Sequence, residues 1–352
     1  MNKFLIAPLD WGLGHATRCI PIVDELLRND QDVVLSASGG GYHLLKQRFP
    51  DLSFINIPAT QIHYPNSGRM ALSMMSQAKK ILNGIALEHK VFNELVAEKE
   101  ITHVISDNRY GLHSTKTHSV LITHQLNIQT PGLLSIIKPL LNMKMKYFLG
   151  NFDEIWIPDL HTKECLSGIL TSTKWNLPKI YIGPLSRFKN TKPNPVKKYD
   201  IIGMVSGPEP QRGLFFDLIR EQMIKSDKEC LLISGLPDSK SDVSAESKIT
   251  IRNHITDEEF LKYLHSDTIF ITRSGYSTIM DLASLGHKKN ILVPTPGQTE
   301  QEYLASFSHE KFNVTIQHQH QINFLNNIDD CIWPQLSKNS IELTAAIKNL
   351  IN

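Results

Sequence analysis

The chain lacks the features that mark several classes of protein. Four cysteines stand among its 352 residues, at Cys19, Cys165, Cys230 and Cys331. They are scattered without a Cys-x-x-Cys pair, which favours neither a disulfide framework nor a zinc site and predicts a reducing cytoplasm. No apolar run approaches the roughly 20 residues of a membrane-spanning helix, and the first apolar run is too short for a signal peptide. The formal net charge of +2 is too small to suggest nucleic acid as a partner.

The composition is that of a soluble globular protein, with 41% hydrophobic and 20% charged residues. Patterns of buried strands and helices alternate on both sides of a linker rich in lysine, asparagine and proline. This alternation predicts an α/β fold of two doubly wound, Rossmann-like domains that face a cleft. The predicted ranges are 1–187 for the N-terminal domain, 188–198 for the linker, 199–335 for the C-terminal domain and 336–352 for a last helix.

The most informative stretch lies in the C-terminal half, where two strand-turn-helix units follow each other. A short apolar run with β-branched residues predicts the first buried strand, and the chain breaks after it at Ser274-Gly275. Ser277 and Thr278 are candidate N-caps of the helix that follows. Gly286 is expected to end this helix.

The second unit predicts another helix start close to the first. Thr299 and Glu302 have the spacing of a capping box. Two helix N-termini then lie at the carboxyl ends of neighbouring strands, where free backbone N–H groups favour anions. Asp281 follows Ser277 by four residues and faces the same way along the helix. A carboxylate near an anion-binding turn needs a partner, and a pair of ribose hydroxyls is one; the alternative is a solvated helix face.

This stretch resembles a known family. RSGYSTIMDLASLG followed by VPTPGQTEQEYLA is similar to the donor-nucleotide signature of family 28 glycosyltransferases. The resemblance implies that the turn at Arg273, Ser274 and Gly275 lies at the donor diphosphate and that Asp281 holds the ribose. Asp281 stands where the commoner pattern has a longer glutamate.

The same resemblance implies contacts with the donor sugar. Gln301 and Glu302 match the two residues that contact the sugar hydroxyls in the family, although Glu302 stands for a glutamine. Closing the capping box is the alternative role for Glu302. Ser277 and Thr278, at the N-terminus of the helix that contains Asp281, complete the donor-binding set.

A glycine turn follows the N-terminal strand and leads into a helix. His15, Gly12 and Gly14 are expected at this strand-to-helix corner, beside free backbone donors. A proline is harmless only in the first turn of a helix, so Pro21 predicts a helix start near residues 16–18.

GLGHATRCIPI resembles the first loop of the family 28 transferases and, more closely, that of a related nucleotide-sugar hydrolase of the pseudaminic acid pathway. The resemblance implies that His15 lies at the cleft near the donor sugar, with Gly12 and Gly14 beside it. In the hydrolase the matching histidine is thought to act on the attacking water. An ordinary turn histidine is the alternative, and Arg18 is expected to pack or to pair with a carboxylate of its own domain.

Asp107 follows a predicted strand at 103–106, and polar residues at the carboxyl end of a strand point into the crevice of an open α/β sheet. It is therefore a candidate acceptor-side carboxylate or base, or else a turn residue that bonds its own backbone. His15 fits the role of base by its chemistry and Asp107 by its placement. The sequence does not choose between them.

The first loop of the second domain stands where the family keeps its glycine-rich diphosphate loop, but here it contains two prolines. Its candidate phosphate-binding residues are Ser206, Gly207, Gln211 and Arg212. A charge-assisted contact from Arg212 would be the strongest of these; a solvated helix-start residue is the alternative. The resemblance further implies that Arg187 approaches the diphosphate and that Ile255 reads the base through backbone groups.

Residues 130–150 are strongly apolar, include Lys138, Lys144 and Lys146, and contain no acidic residue. This composition suits an amphipathic face on an anionic bilayer. Pro139 is expected to kink this segment. A helix packed within the domain, with its lysines solvated, is the alternative.

The resemblance implies the GT-B arrangement with a UDP-sugar as donor, and together with these patterns it predicts an inverting, metal-independent glycosyltransferase that needs no cofactor besides this co-substrate. No Asp-x-Asp motif stands in a suitable loop to hold a metal. A sugar or a lipid-linked sugar is the expected acceptor, in cell-envelope or glycan synthesis. The expected location is the cytoplasm, with the inner face of the membrane as a peripheral site. A nucleotide-sugar hydrolase and a non-catalytic sugar-nucleotide binding protein remain the alternatives.

Overall fold

The structure is a computed structural model that describes residues 2–63, 65, 70–130, 136–188, 194–237, 244–246, 248–323, 328–336 and 341–352. The chain forms two compact units. The first comprises Met1–His63, Ala71–Arg187 and Ser337–Asn352, and the second comprises Tyr64–Met70 and Phe188–Leu336. The limits predicted above for independent domains and their linker stay predictions.

The first unit is built on a seven-stranded sheet with helices in the crossovers. Its strands are Lys3–Pro8 (β1), Asp32–Leu35 (β2), Ser53–Phe54 (β3), His103–Asp107 (β4), His118–Ile122 (β5), Glu154–Ile157 (β6) and Lys179–Tyr181 (β7). Its helices are Leu13–Arg28 (α1), Gly39–Arg48 (α2), Met70–Ser76 (α3), Ala78–Glu98 (α4) and Lys138–Leu149 (α5), joined by the helix that ends the chain.

The strand order of this sheet is β3-β2-β1-β4-β5-β6-β7, and all neighbouring strands are parallel. β1 lies between β2 and β4, with Leu5 opposite both Val34 and Val104. The winding direction of the crossovers therefore reverses at β1. In an open parallel sheet, ligands bind outside the carboxyl ends of the strands at such a reversal.

The second unit repeats this arrangement. Its strands are Ile201–Met204 (β8), Cys230–Ile233 (β9), Ser244–Glu246 (β10), Ile249–Arg252 (β11), Ile269–Thr272 (β12), Asn290–Leu292 (β13) and Thr315–Ile316 (β14). Its helices are Gln211–Lys225 (α6), Asp257–Tyr263 (α7), Tyr276–Leu285 (α8) and Thr299–Phe312 (α9). The order is β10-β11-β9-β8-β12-β13-β14, with only β10 antiparallel to its neighbour among the described strands. The predicted α/β class with two doubly wound units is confirmed.

Helix α1 begins earlier than predicted, at Leu13, and Pro21 lies inside it. Pro21 lacks the N–H that would otherwise donate to the carbonyl of Thr17, a loss that disfavours proline within helices. The helix forms nonetheless because one face, including Ala16, Cys19 and Ile20, is buried. Tertiary packing of this apolar face outweighs the local penalty.

Two local features depend on contacts that are remote in sequence. Residues 70–98 form α3 and α4, which are separated at Gln77. The side chain of Gln77 bonds the backbone N–H and carbonyl of His63, so a tertiary contact stabilises this break. Glycines 39–41 begin α2, and a Cβ added at Gly41 would lie 3.5 Å from the Cβ of Ala16 in α1. Close packing of α1 on α2 therefore explains this glycine.

Helix α5 crosses from β5 to β6. Pro139 occupies its first turn, where a missing N–H costs nothing, rather than kinking it as predicted. Leu149 is its one fully buried residue among those described, and Met145 packs beside it on a cluster that includes Phe152. Residues 131–135 of the same predicted segment lie outside the described residues.

The last helix, Ile341–Ile351 (α10), belongs to the first unit and packs on α1. Leu343, Ala346 and Ile347 form its buried face. The side-chain amide of Asn2 donates to the carbonyl of Ile351 at 3.2 Å, which joins the two ends of the chain. Within the described ranges, no helix combines the length and apolarity needed to cross a bilayer.

Candidate functional site

The first unit brings the two predicted catalytic residues together. His15 lies in the first turn of α1, directly after β1, and Asp107 is the last residue of β4. Because β1 and β4 are adjacent, both side chains lie where the winding of the sheet reverses. His15 Nδ1 is 3.1 Å from Oδ2 of Asp107.

Arg18 completes this cluster from one turn further along α1. Its Nε donates to Asp107 Oδ2 at 2.6 Å, and its Nη2 donates to Oδ1 of the same carboxylate. The same Nη2 is 3.0 Å from His15 Nδ1. The prediction that Arg18 pairs with a carboxylate of its own domain is thereby confirmed.

Asp107 is fully buried. Burial alone would raise the pKa of its carboxyl, but the charges of Arg18 and His15 and their hydrogen bonds outweigh it and lower the pKa to about 2. Asp107 is therefore a permanent carboxylate at neutral pH and a weak base. The side chain of His15, by contrast, is 20% exposed and has a second ring nitrogen that can meet a substrate.

The glycine turn before α1 leaves open space beside His15. Gly12 is the N-cap of α1 at φ 149°, a conformation that side chains disfavour, and no described atom lies within 4 Å of the position of an added Cβ. Gly14 accepts a hydrogen bond from the Thr17 hydroxyl through its carbonyl at 3.0 Å. A ligand can thus approach the backbone at this corner.

Two polar residues at the same sheet edge were not among the candidate site residues predicted from the sequence. Asp10 follows β1 and accepts a hydrogen bond from the Ser38 hydroxyl at 2.6 Å, in front of α2. Arg109 follows β4, is buried, pairs with Glu88 at 3.0 Å and donates to the carbonyl of Ile57 at 3.0 Å. The rule that singled out Asp107, a polar residue at the carboxyl end of a strand, also applies to both.

The second unit collects most of the predicted donor-binding residues at one sheet edge. The loops after β8, β12 and β13 precede α6, α8 and α9, and hydrogen bonds join them. Nη2 of Arg273 donates to the carbonyl of Gln211 at 3.1 Å, and the Ser274 hydroxyl donates to the carbonyl of Gln301 at 2.8 Å.

The start of α8 is the best anion-binding feature of this edge. Gly275 is its N-cap and, as a glycine, supplies no capping side chain, and the first turn of the helix contains no acidic residue. No described atom lies within 4 Å of the Cβ that Gly275 would gain on substitution by alanine. Ser277 and Thr278, predicted as caps, lie within the first turn because the helix begins at Tyr276. Gly286 ends the helix in the left-handed conformation, as predicted.

The capping box predicted for α9 is wrong. Gln298 is the N-cap, and Thr299 is already the first helical residue. Glu302 Oε1 instead accepts from the backbone N–H of Gly297 at 2.8 Å, and Gln301 Oε1 accepts from that of Thr295 at 2.9 Å. Both side chains therefore hold the loop between β13 and α9.

Arg273 is buried, with 2% of its surface exposed. Its Nη1 donates to the carbonyls of Val293 and Pro294, each at 3.3 Å, and the guanidinium carbon lies 3.8 Å from the ring centroid of Phe215. Burial lowers its pKa from 12.5 to about 9, so it remains a cation at neutral pH. The side chain ties the loop after β13 to α6.

The loop between β8 and α6 contains a carboxylate, that of Glu209, which would compete with a phosphate for the N–H groups at the start of α6. Glu209 Oε2 accepts from the N–H of Gly213 in the first turn of α6 at 3.0 Å, and its Oε1 pairs with Arg212. Arg212 also donates to the carbonyl of Ser234 at 2.8 Å. Earlier in this loop Gly207 adopts φ 100°, with no described atom within 4 Å of an added Cβ.

The remaining candidates lie as follows. Ser206 is half-buried after β8, and Gln211 is buried, with its side-chain amide donating to the carbonyl of Pro65 at 3.1 Å. Asp281 is half-buried, one turn after Ser277 on α8. Buried Ile255 precedes Thr256, whose hydroxyl caps α7 by accepting from Glu259 at 3.1 Å, as predicted.

Arg187 is half-buried and ends the long middle segment of the first unit. Its predicted approach to a diphosphate stays a prediction. In the part of the chain that the structure describes, no group of three or more His, Cys, Asp and Glu side chains could hold a metal ion.

Comparisons with known proteins bear on the family and the fold. Residues 221–344 match the model of the glycosyltransferase family 28 C-terminal domain. An uncharacterized glycosyltransferase of Methanosarcina acetivorans is 25% identical over 327 residues, covering 88% of this chain and 84% of the relative. One of Methanosarcina mazei is 24% identical over 325 residues, with the same shares, 88% and 84%, covered.

Solved structures show the same fold over the whole chain. MurG of Acinetobacter baumannii superposes with a TM-score of 0.51 at 11% identity, covering 100% of this chain and 91% of that one. UGT89C1 of Arabidopsis thaliana, complexed with UDP, gives a TM-score of 0.58 at 10% identity and covers 100% and 90%. The predicted resemblance to GT-B glycosyltransferases of family 28 is confirmed, and the findings support a glycosyltransferase.

Proposed function

We propose that the chain is an inverting, metal-independent glycosyltransferase that moves a sugar from a UDP-sugar to the hydroxyl of a sugar or lipid-linked acceptor in cell-envelope or glycan synthesis. The main support is the His15–Asp107 pair at the reversal point of the first sheet, 3.1 Å apart. A general base is what a displacement at an anomeric carbon requires of the enzyme.

In the proposed reaction, Nδ1–H of His15 donates to Asp107, which leaves Nε2 as the acceptor. Nε2 removes the proton of the acceptor hydroxyl while its oxygen bonds to the anomeric carbon. The bond between that carbon and the diphosphate breaks on the opposite face, and the electron pair leaves with UDP. Asp107 orients the ring and stabilises the imidazolium, and Arg18 fixes Asp107.

The donor is proposed to bind at the second sheet. Charge grows on the leaving diphosphate, and the start of α8, where Gly275 is the N-cap, is proposed to direct backbone N–H donors toward it. Gly207, with open space beside it, follows β8, the strand next to β12 in the sheet. Asp281, one turn into α8, is proposed to bind the ribose hydroxyls, and the backbone at Ile255 to contact the base.

A nucleotide as the leaving group is supported by the neighbour UGT89C1, which was solved with UDP. Arg187, Gln301 and Glu302 are proposed to act around the diphosphate and the sugar. No cofactor besides the nucleotide-sugar is part of the proposal.

The test is a panel of UDP- and TDP-sugars, each with and without sugar and lipid-linked acceptors. We expect nucleotide release that depends on the acceptor, and a product whose anomeric configuration, read by NMR, is inverted. Release of free sugar without any acceptor would replace the proposal with the hydrolase. Nucleotide-sugar binding without turnover under any condition would replace it with a binding protein.

A further inference from the structure

A carboxylate and an indole ring stand directly before the glycine turn that leads to His15. Asp10 and Trp11 follow β1 after one residue, at the carboxyl edge of the first sheet. The backbone N–H of Leu9 donates to the carbonyl of Asp107 at 3.0 Å, which keeps this segment beside the end of β4. The proposed proton transfer uses neither side chain, so both are available for another role at this edge.

The carboxylate of Asp10 is only partly used within the protein. Its Oδ2 accepts from the Ser38 hydroxyl at 2.6 Å, and Ser38, the N-cap of α2, makes no capping hydrogen bond with its side chain. Within the described ranges, Oδ1 of Asp10 accepts no hydrogen bond and the carboxylate forms no ion pair. Asp10 is half-buried. Its Oδ1 is therefore a charged acceptor that a ligand hydroxyl can use.

The same carboxylate lies at the N-terminus of α2. Gly39, the first residue of this helix, has φ 52°, and a Cβ added there would lie 3.5 Å from Oδ1 of Asp10. The first turn of α2 contains no acidic residue of its own, so Asp10 supplies the negative charge that a helix N-terminus favours. An acceptor group that binds here meets this charge, which favours a neutral polyol over a phosphate.

The indole ring of Trp11 is held by a hydrogen bond. Its Nε1–H donates to the carbonyl of Thr60 at 2.8 Å, in the segment after β3. The ring is half-buried and stacks on no other aromatic ring in the part of the chain that the structure describes. An indole whose one polar atom already has a partner offers an apolar ring surface, against which the C–H groups of a ligand can pack.

The segment that holds Trp11 is itself anchored by Arg109. Nη2 of this arginine donates to the carbonyls of Ile57 at 3.0 Å and Pro58 at 3.2 Å, and its Nε pairs with Glu88 of α4 at 3.0 Å. Arg109 is buried. The position of the indole therefore depends on a buried ion pair, and support of this kind preorganises a binding site.

We propose that Asp10 and Trp11 form an acceptor subsite for a neutral pyranose, whose ring packs on the indole while its hydroxyls donate to Oδ1 of Asp10. This assignment rests on the proposed function, because it names the class of acceptor that meets His15. β1 lies between β2 and β4. The pyranose would accordingly lie on the β2 side of His15, whereas Asp107 lies on the β4 side.

The test is a ligand-observed NMR titration of the full chain with methyl pyranosides of several hexoses, without a nucleotide-sugar, in the presence and in the absence of UDP. Each neutral glycoside is compared with its 6-phosphate. We expect one or more neutral glycosides to bind at least about tenfold more tightly than the matching phosphate. Tighter binding of the phosphates, or no binding of any pyranoside under either condition, would overturn the proposal.

A free sugar and the sugar of a glycolipid share this chemistry. Octyl glycosides of the same hexoses, below their micelle concentrations, distinguish the two sources. Tighter binding of the octyl form would assign a glycolipid, and equal binding of the methyl and octyl forms would assign a free sugar.

Three variants separate the contributions of the ring and the charge. Trp11→Leu should weaken binding of the pyranoside about tenfold, and Trp11→Phe, which keeps an aromatic ring, should weaken it less. Asp10→Asn should also weaken it about tenfold. In the same variant the 6-phosphate should bind nearly as well as the neutral glycoside, because the repelling charge is gone. A merely structural role of Asp10 would not change this preference.

Matched controls change the same residue types elsewhere in the first unit. Trp175 is half-buried and packs on the cluster that includes Phe152, and Asp51 is exposed in the turn after α2. Trp175→Leu and Asp51→Asn should leave pyranoside binding unchanged, with folding of every variant checked by urea unfolding. Equal loss in these controls, or wild-type binding by the folded Asp10 and Trp11 variants, would overturn the assignment. Binding that needs Asp10 and Trp11, in a protein that turns over no nucleotide-sugar, would keep the subsite and remove the transferase.

Discussion

His15, Asp107 and Arg18 form a cluster in which each residue has a separable role. Asp107 and Arg18 are both buried and paired, whereas His15 is the partly exposed member. Removing either of the buried partners would leave an uncompensated charge, at a cost of about 3–5 kcal/mol in stability. Removal of His15 leaves that ion pair intact, so His15 is the residue at which catalysis can be tested without loss of the fold.

We expect His15→Gln to lower kcat for acceptor-dependent nucleotide release by roughly 10²–10⁴, with a loss in the free energy of unfolding of no more than about 0.5–1.5 kcal/mol, the value of one hydrogen bond to Asp107. The measurements are steady-state kinetics and urea unfolding of the same preparation. Asp107→Asn is the contrasting variant and should lose both stability and activity. A His15→Gln enzyme with full activity would exclude this histidine as the base.

The second prediction at this scale concerns Glu209. Its carboxylate accepts a hydrogen bond from a backbone N–H in the first turn of α6, close to the place where the diphosphate is proposed to bind. Glu209→Gln removes one negative charge from this helix N-terminus and leaves Arg212 without its acidic partner. A charge at this position is worth about 0.3–1 kcal/mol, so the Kd for UDP should fall about two- to fivefold.

The control is Glu221→Gln, which removes an exposed carboxylate paired with Lys225 near the other end of α6. Titration calorimetry with UDP measures both variants. Unchanged or weaker UDP binding by Glu209→Gln, with the control unchanged, would place the diphosphate away from α6.

At the scale of single elements, buried strands were predictable and helix starts were not. The apolar runs of β1 and β12 determine their strands, since both are covered on two faces. The starts of α1, α8 and α9 depend on contacts that are remote in sequence, such as the hydroxyl of Ser274 on the carbonyl of Gln301. Thr299 and Glu302 have the spacing of a capping box but do not form one, because Glu302 accepts a hydrogen bond from the backbone N–H of Gly297 in the preceding loop instead.

The end of α8 was predictable because its cause is local. Gly286 has φ 63° and ψ 25°, and no described atom lies within 4 Å of an added Cβ. Gly286→Ala should therefore cost about 1–2 kcal/mol from left-handed strain alone, without a clash. Gly286→Asn should cost less, because asparagine tolerates this conformation. Urea unfolding measures both, and equal stability of all three proteins would contradict the assignment.

At the scale of the whole molecule, the alternation of strands and helices was enough to predict two doubly wound units, because most strands are apolar and most crossovers have a helical pattern. His15 and Asp107 were each expected at the end of a strand, but their contact depends on β1 lying next to β4, which the sequence alone did not predict. The partners of Arg109 could not be anticipated either. Glu88 and Ile57, which are among them, come from segments whose contact only the folded chain defines.

The stability of the molecule should fall in mild acid, and His287 is one identifiable cause. This side chain is 5% exposed, and its Nε2–H donates to the carbonyl of Thr268 at 2.9 Å. Burial lowers its pKa from 6.5 to about 4. A histidine with a lowered pKa in the folded state stabilises the fold fully above its unfolded pKa, and the contribution is lost as the pH falls from about 6.5 to about 4.

The size of this effect is at most about 3 kcal/mol, from a shift of roughly two and a half pKa units. Urea unfolding at several pH values between about 7.5 and 4.5 measures it. His287→Gln keeps a donor for Thr268 but cannot gain a proton, so its free energy of unfolding should depend less on pH than that of the wild type. The control is His320→Gln, at an exposed position, which should leave the pH dependence of the free energy of unfolding unchanged. The same pH dependence in all three proteins would show that His287 is not responsible, and the half-buried His113, whose pKa is also lowered to about 4, would then be the residue to replace.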